Sequence, residues 1–164
     1  MQEKNKAHNE LRGAADLFFK DTLYLKINNN GLSLKEVEKF RTFPRIIANP
    51  RISIERLSEL AGAKGGISDY VSYNVFMSVE RLARQGLVTE GKEGVIPTEK
   101  GIMLFSFFED KAEVKSWLDS AIKKAQSEGA DMRRFTQNAE KVRAVIAGMI
   151  ALYGEGLKDA RREN

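Results

Sequence analysis

Residues 52–101 read ISIERLSELAGAKGGISDYVSYNVFMSVERLARQGLVTEGKEGVIPTEKG. Ile54, Leu57, Leu60 and Ala61 recur at helical spacing behind Ser53, a residue type that caps helix starts. Gly62-Ala-Lys-Gly65-Gly66 is then a turn. A second, longer helix is expected to begin between Ser68 and Ser72 and to end before Gly86, which suits the left-handed position past a helix end. Its inward side is Val75, Ser78, Val79 and Leu82. Leu87-Val88 and Val95-Ile96 are short extended runs around a Glu-Gly-Lys-Glu-Gly hairpin tip, and Pro97 and Thr98 end the strand and cap the next helix.

Upstream, apolar residues from Ala7 to Ile27 fall mostly at helical spacing across residues 3–27, and Asn28-Asn-Asn-Gly31 is expected to stop that helix. Ser33-Leu-Lys-Glu36 has the form of a capping box, in which Ser accepts an amide and Glu reaches back. The helix it opens should run from Leu34 to Ala48 on Leu34, Val37, Phe40, Phe43, Ile46 and Ile47. Pro44 predicts a kink or break near Thr42. Downstream, a long helix is expected from Glu99 to Ser127, with Ile102–Phe108 apolar nearly all round. Glu128-Gly129 breaks it. Asp131 can cap a last helix to Tyr153, and the polar residues after it read as frayed.

The chain has 164 residues, is 42% hydrophobic and 30% charged, and so can bury a core. No apolar run has the ~18 residues that a membrane span needs, and the polar MQEKNKAHNE start has no signal-peptide core. A cytoplasmic location is expected. The absence of cysteine excludes disulfides, thiolate metal sites and a cysteine nucleophile. Net charge is +4, with Lys+Arg against Asp+Glu at 7 to 6, 9 to 7 and 11 to 10 over residues 1–40, 41–100 and 101–164. No segment is a basic block, so a nucleic-acid footprint has to come from where charges sit in space.

Helix, turn, helix and hairpin in this order make a winged helix-turn-helix: a mainly α fold with a small two-stranded β wing. The stretch from Gly31 to Phe105 resembles the multiple-antibiotic-resistance regulator (MarR) family of winged-helix repressors. The matching pieces are Gly31-Leu-Ser-Leu, Asn49-Pro50, Ile52-Ser-Ile, Leu57-Ser-Glu-Leu-Ala61, Val79-Glu-Arg-Leu-Ala-Arg-Gln-Gly-Leu-Val88 and Ile96-Pro-Thr-Glu-Lys-Gly101. Related winged-helix groups, such as regulators of phenolic acid decarboxylase, share several of them. The resemblance implies a homodimer with N-terminal helices over 1–48, a DNA-binding domain over 49–101 and C-terminal dimerisation helices over 102–157. A flexible tail over 158–164 completes this division. Two departures stand out: the link through Lys64–Val71 is long, and the wing lacks the family's Asp-x-Arg, with Lys92 between Glu90 and Glu93 at its tip.

On the family register, Ser72, Tyr73, Asn74 and Met77 face base edges. Asn pairs with adenine, Ser with either base type, and Tyr reaches phosphate or a thymine methyl. The plainer reading of Ser72 or Asn74 is a helix cap. Phosphate contacts would come from Arg51, Arg56, Lys64, Arg81, Arg84, Lys92 and Lys100, any of which could equally be a solvated surface charge. Leu11, Phe18, Phe108, Trp117, Val145 and Met149 are the expected dimer contacts. Phe105, Phe107, Phe108 and Trp117 could line a ligand pocket, but read more simply as core and interface. His8 stands alone, Glu109-Asp110 has no nucleophile beside it, and Gly62-x-x-Gly65-Gly66 lacks the Lys-Ser/Thr of a phosphate loop. An enzyme is not expected, nor a catalytic residue, metal or cofactor.

The sequence therefore reads as a homodimeric, sequence-specific binder of double-stranded DNA, most simply a transcriptional repressor; a small-molecule effector is compatible, and no residue identifies one. A second reading is a segregation or replication adaptor of a plasmid or mobile element that coats repeated sites. A third is a winged helix used only for protein contact.

Overall fold

The computed structural model describes residues 2–24, 32–64 and 70–163. Among these are eight helices and one two-stranded sheet: α1 (Gln2–Phe18), α2 (Lys20–Leu23), α3 (Leu34–Ala48), α4 (Ile54–Leu60), α5 (Tyr70–Arg84), β1 (Val88–Gly91), β2 (Gly94–Pro97), α6 (Glu99–Glu109), α7 (Lys111–Ser127) and α8 (Met132–Glu163). They fall into two compact units, one of residues 1–31 and 103–146, the other of 32–102 and 147–164. These borders differ from the expected division: α3 belongs with the hairpin, and so does the end of α8.

The first unit is organised around aromatic rings. Phe18 lies 4.9 Å from Phe19 and 5.4 Å from Phe108, and Phe107 lies 6.0 Å from Trp117, mostly edge to face. Successive positions on an unbroken helix point about 100° apart. The single helix expected over 3–27 instead breaks at Phe19 (φ −104°, ψ 14°), and Phe18 and Phe19 are both buried. The expected Asn28–Gly31 stop lies outside the described residues. The long helix expected from Glu99 also divides, because Asp110 leaves helical geometry and its Oδ1 accepts the Glu113 amide at 3.2 Å. Phe107 and Phe108 just before that break are buried, whereas Ile102 and Met103 are exposed. Two polar side chains drawn into this unit are paired, Trp117 Nε1 donating to Asp16 at 2.8 Å and Asn138 Nδ2 to the Leu23 carbonyl at 3.1 Å, whereas the buried Thr22 hydroxyl has no hydrogen-bond partner among the described residues.

In the second unit, Ser33 caps α3 by accepting the Glu36 amide at 3.2 Å. The other half of the capping box does not form. The Glu36 carboxylate turns inward instead, 2.6 Å from Arg81 and 3.3 Å from Lys39. Pro44 does not break α3, which continues to Ala48, and Pro44 is itself buried. Phe40, Phe43 and Ile46 face the core as expected, but Leu34 is exposed at the helix start. α8 runs ten residues past Tyr153, to Glu163, so the expected frayed tail is helical. Packing holds it there: a Cβ on Gly156 would come within 2.7 Å of the Ala48 side chain.

The hairpin pairs Val88 with Pro97, Thr89 with Ile96, Glu90 with Val95 and Gly91 with Gly94, leaving Lys92 and Glu93 as its turn. Ile52 bridges Val95 from the other side, through Arg51 N–H to Val95 O (2.9 Å) and Val95 N–H to Ile52 O (2.8 Å). The approach is so close that Gly94 (φ 121°) has no room for a Cβ against the Arg51 carbonyl. At the hairpin's exit, Thr98 Oγ1 donates to Gly86 O at 2.6 Å and accepts the Gly101 amide at 3.0 Å.

Candidate nucleic-acid interface

α4 is a short helix whose start is fixed by Ser53, which accepts the Arg56 amide at 2.9 Å. Of its apolar residues Leu57 is buried, while Ile54, Leu60 and Ala61 are half-buried. The turn expected at Gly65 and Gly66 lies outside the described residues, and α5 is helical from Tyr70. Its inward side is Val75, Ser78, Val79 and Leu82, as the sequence predicts, and Gly86 follows with φ 76°. The Ser78 hydroxyl donates to the Asn74 carbonyl at 2.8 Å, so this polar core residue is satisfied within its own helix.

The opposite side of α5 decides what the helix can touch. Tyr70, Tyr73 and Phe76 are exposed, and Ser72, Asn74 and Met77 are half-buried beside them. Of the four expected base contacts, Tyr73 therefore projects furthest and the other three flank it. Tyr70 and Phe76 were absent from that set. Their i, i+3, i+6 spacing with Tyr73 is the signal that places all three on one side. Among residues 70–80 there is no cation and Glu80 supplies an anion, so this surface offers aromatic and amide groups rather than positive charge.

The cations are unequal. Arg81, an expected phosphate contact, lies between α3 and α5 with its side chain 24% exposed and is engaged with the buried Glu36. Lys100 is exposed but donates to the Gln85 carbonyl at 3.0 Å, closing the end of α5. Arg84 is 72% exposed and lies 3.6 Å from Glu80 across one helical turn, an exposed pair that a phosphate can replace at small cost. Arg51 (φ 77°) sits 3.6 Å from Glu93, and Arg56 lies 3.1 Å from Glu59. Lys64 and Lys92 are exposed.

Phe18, Phe108, Trp117 and Met149 are nearly inaccessible within the single chain. Expected as dimer contacts, these side chains pack within the single chain's own core. Leu11 and Val145 are half-buried. Phe105 and Phe107 are buried too, which leaves the core reading of the aromatic group. His8 lies 3.4 Å from Glu113 on the surface.

Two groups of the second unit titrate abnormally. Burial raises the Glu38 carboxyl above the usual carboxylate range, with Arg41 and Arg45 pulling it back. Burial lowers Arg45, opposed chiefly by Glu38. Around these elements no helix among the described residues is long and apolar enough to cross a membrane. Comparison with known protein families, curated proteins and solved structures gave no match.

Proposed function

We propose that the chain is a winged helix-turn-helix protein that binds double-stranded DNA as a homodimer and acts as a transcriptional regulator, most simply a repressor. One observation carries the reading. α5 is anchored by four inward side chains and by the Glu36–Arg81 pair, and it presents Tyr73, flanked by Ser72, Asn74 and Met77, from its first two turns. A helix so held can enter a major groove and offer those groups to base edges. The bridge from Ile52 to Val95 adds support, because it fixes the hairpin, as a wing, to the chain that enters α4. The resemblance of Gly31–Phe105 to MarR regulators agrees with it. One such helix covers few base pairs, so twofold pairing on a palindromic site belongs to the proposal. The test is genome-wide immunoprecipitation followed by a footprint on the best site. Two half-sites about one helical turn apart are expected.

The surface of α5 favours one competing reading, a winged helix that contacts protein. Tyr70, Tyr73 and Phe76 are exposed together with no cation among residues 70–80, a composition closer to a protein interface than to a phosphate-tracking surface. Failure to bind any genomic DNA at low salt would favour it.

A further inference from the structure

The second unit contains a cavity of about 190 Å³ whose walls differ in charge. One wall, from α3 and the turn after it, carries Arg45 and Asn49; the other, one helical turn of α8, carries Glu155 and Asp159. Ile52 and Leu60 supply an apolar side. Arg56 also reaches the lining, already engaged with Glu59 at 3.1 Å.

Arg45 is half-buried, and Glu38, Glu155 and Asp159 all act on it electrostatically. Among the described residues its guanidinium nevertheless closes on none of them in an ion pair, and neither Glu155 nor Asp159 takes another cation. Charges of both signs thus face a shared space, coupled electrostatically but without closing into a direct ion pair. Arg45 and Asp159 are half-buried, and charge so placed without a direct partner is costly; a ligand that supplies the missing complements recovers that cost. A simple anion would leave its charge facing two carboxylates, and a simple cation would face Arg45. Only a molecule bearing both charges satisfies both walls. The volume holds on the order of six waters and is below the roughly 300–1,000 Å³ of pockets for drug-sized ligands, so the ligand must be small.

We propose that this cavity binds a free amino acid as its zwitterion: the carboxylate on Arg45 and Asn49, the ammonium on Glu155 and Asp159, and an aliphatic side chain against Ile52 and Leu60. The site stands independently of the DNA reading, since binding is measured on the protein alone.

The common L-amino acids are screened singly for thermal stabilisation of the full chain. The best is then titrated calorimetrically beside its des-amino acid and its decarboxylated amine. At least one amino acid should bind, with both analogues weaker by roughly tenfold or more. Arg45→Gln and Glu155→Gln should each weaken it similarly. Glu155 is exposed, so that variant keeps its fold, as circular dichroism will verify. No stabilisation and no heat from any amino acid at millimolar concentration overturns the proposal. So does an analogue with one charge binding as well as its parent, or a folded Glu155→Gln variant binding unchanged.

Discussion

Arg81 and Arg84 sit on the last turn of α5, three residues apart, and do different work. Arg81 reaches Glu36 at 2.6 Å from a side chain 24% exposed, while Arg84 is 72% exposed and 3.6 Å from Glu80. Arg81→Ala leaves the Glu36 carboxylate buried with Lys39 alone and should cost about 2–4 kcal/mol in urea unfolding. Arg84→Ala should stay within about 0.5 kcal/mol of the parent, yet reduce the salt slope of DNA binding by roughly 0.9 if that arginine meets a phosphate. Glu38 gives a pH test. Burial raises its folded-state pKa, so the folded chain holds this proton more tightly than the unfolded chain does. Stability is therefore lost as pH rises from the ordinary carboxylate value through the raised one, and stays lower above it. Glu38→Gln should melt higher than the parent at neutral pH, with the gap closing below the ordinary carboxylate pKa. A constant gap across that range would contradict the assignment.

At the scale of elements, close backbone approaches fix the hairpin between helices. A Cβ on Gly101 would run into the Leu87 carbonyl, so Gly101→Ala should destabilise by about 1–3 kcal/mol. Gly148, inside α8, has nothing within 4 Å of its would-be Cβ, so Gly148→Ala should stabilise by about 0.5–1 kcal/mol. Thermal melts of the two variants read opposite signs. The elements between Ile52 and Gly101 were largely legible in the sequence, because their signals are local: Ser53 as a cap, Gly86 as a helix stop, four inward residues of α5 at helical spacing. What was not legible depends on distant partners. The break at Phe19 accompanies burial of two successive rings, and α8 continues past Tyr153 where Gly156 meets Ala48. Glu36 abandons its capping role for Arg81, which is 45 residues away in sequence.

At the scale of the whole molecule, reading a palindromic site needs two copies of α5 on one DNA, and that requirement was only partly legible. Large apolar residues in the flanking helices suggested a pairing surface, but Phe18, Phe108 and Trp117 are buried in the single chain, and periodicity cannot tell a core from an interface. Light scattering coupled to size exclusion should give twice the 18.4 kDa chain mass; a monomer at micromolar concentration would rule the dimer out. The candidate base contacts were legible as a helix start, whereas their aromatic neighbours Tyr70 and Phe76 emerged only once the outward side of α5 was defined. Whether this side of α5 reads DNA is decided by a footprint on the best genomic site. Protection of two half-sites about one helical turn apart is expected, abolished in a folded variant carrying Tyr73→Ala and Asn74→Ala. An unchanged footprint with that variant, or no protection of any DNA at low salt, would contradict it.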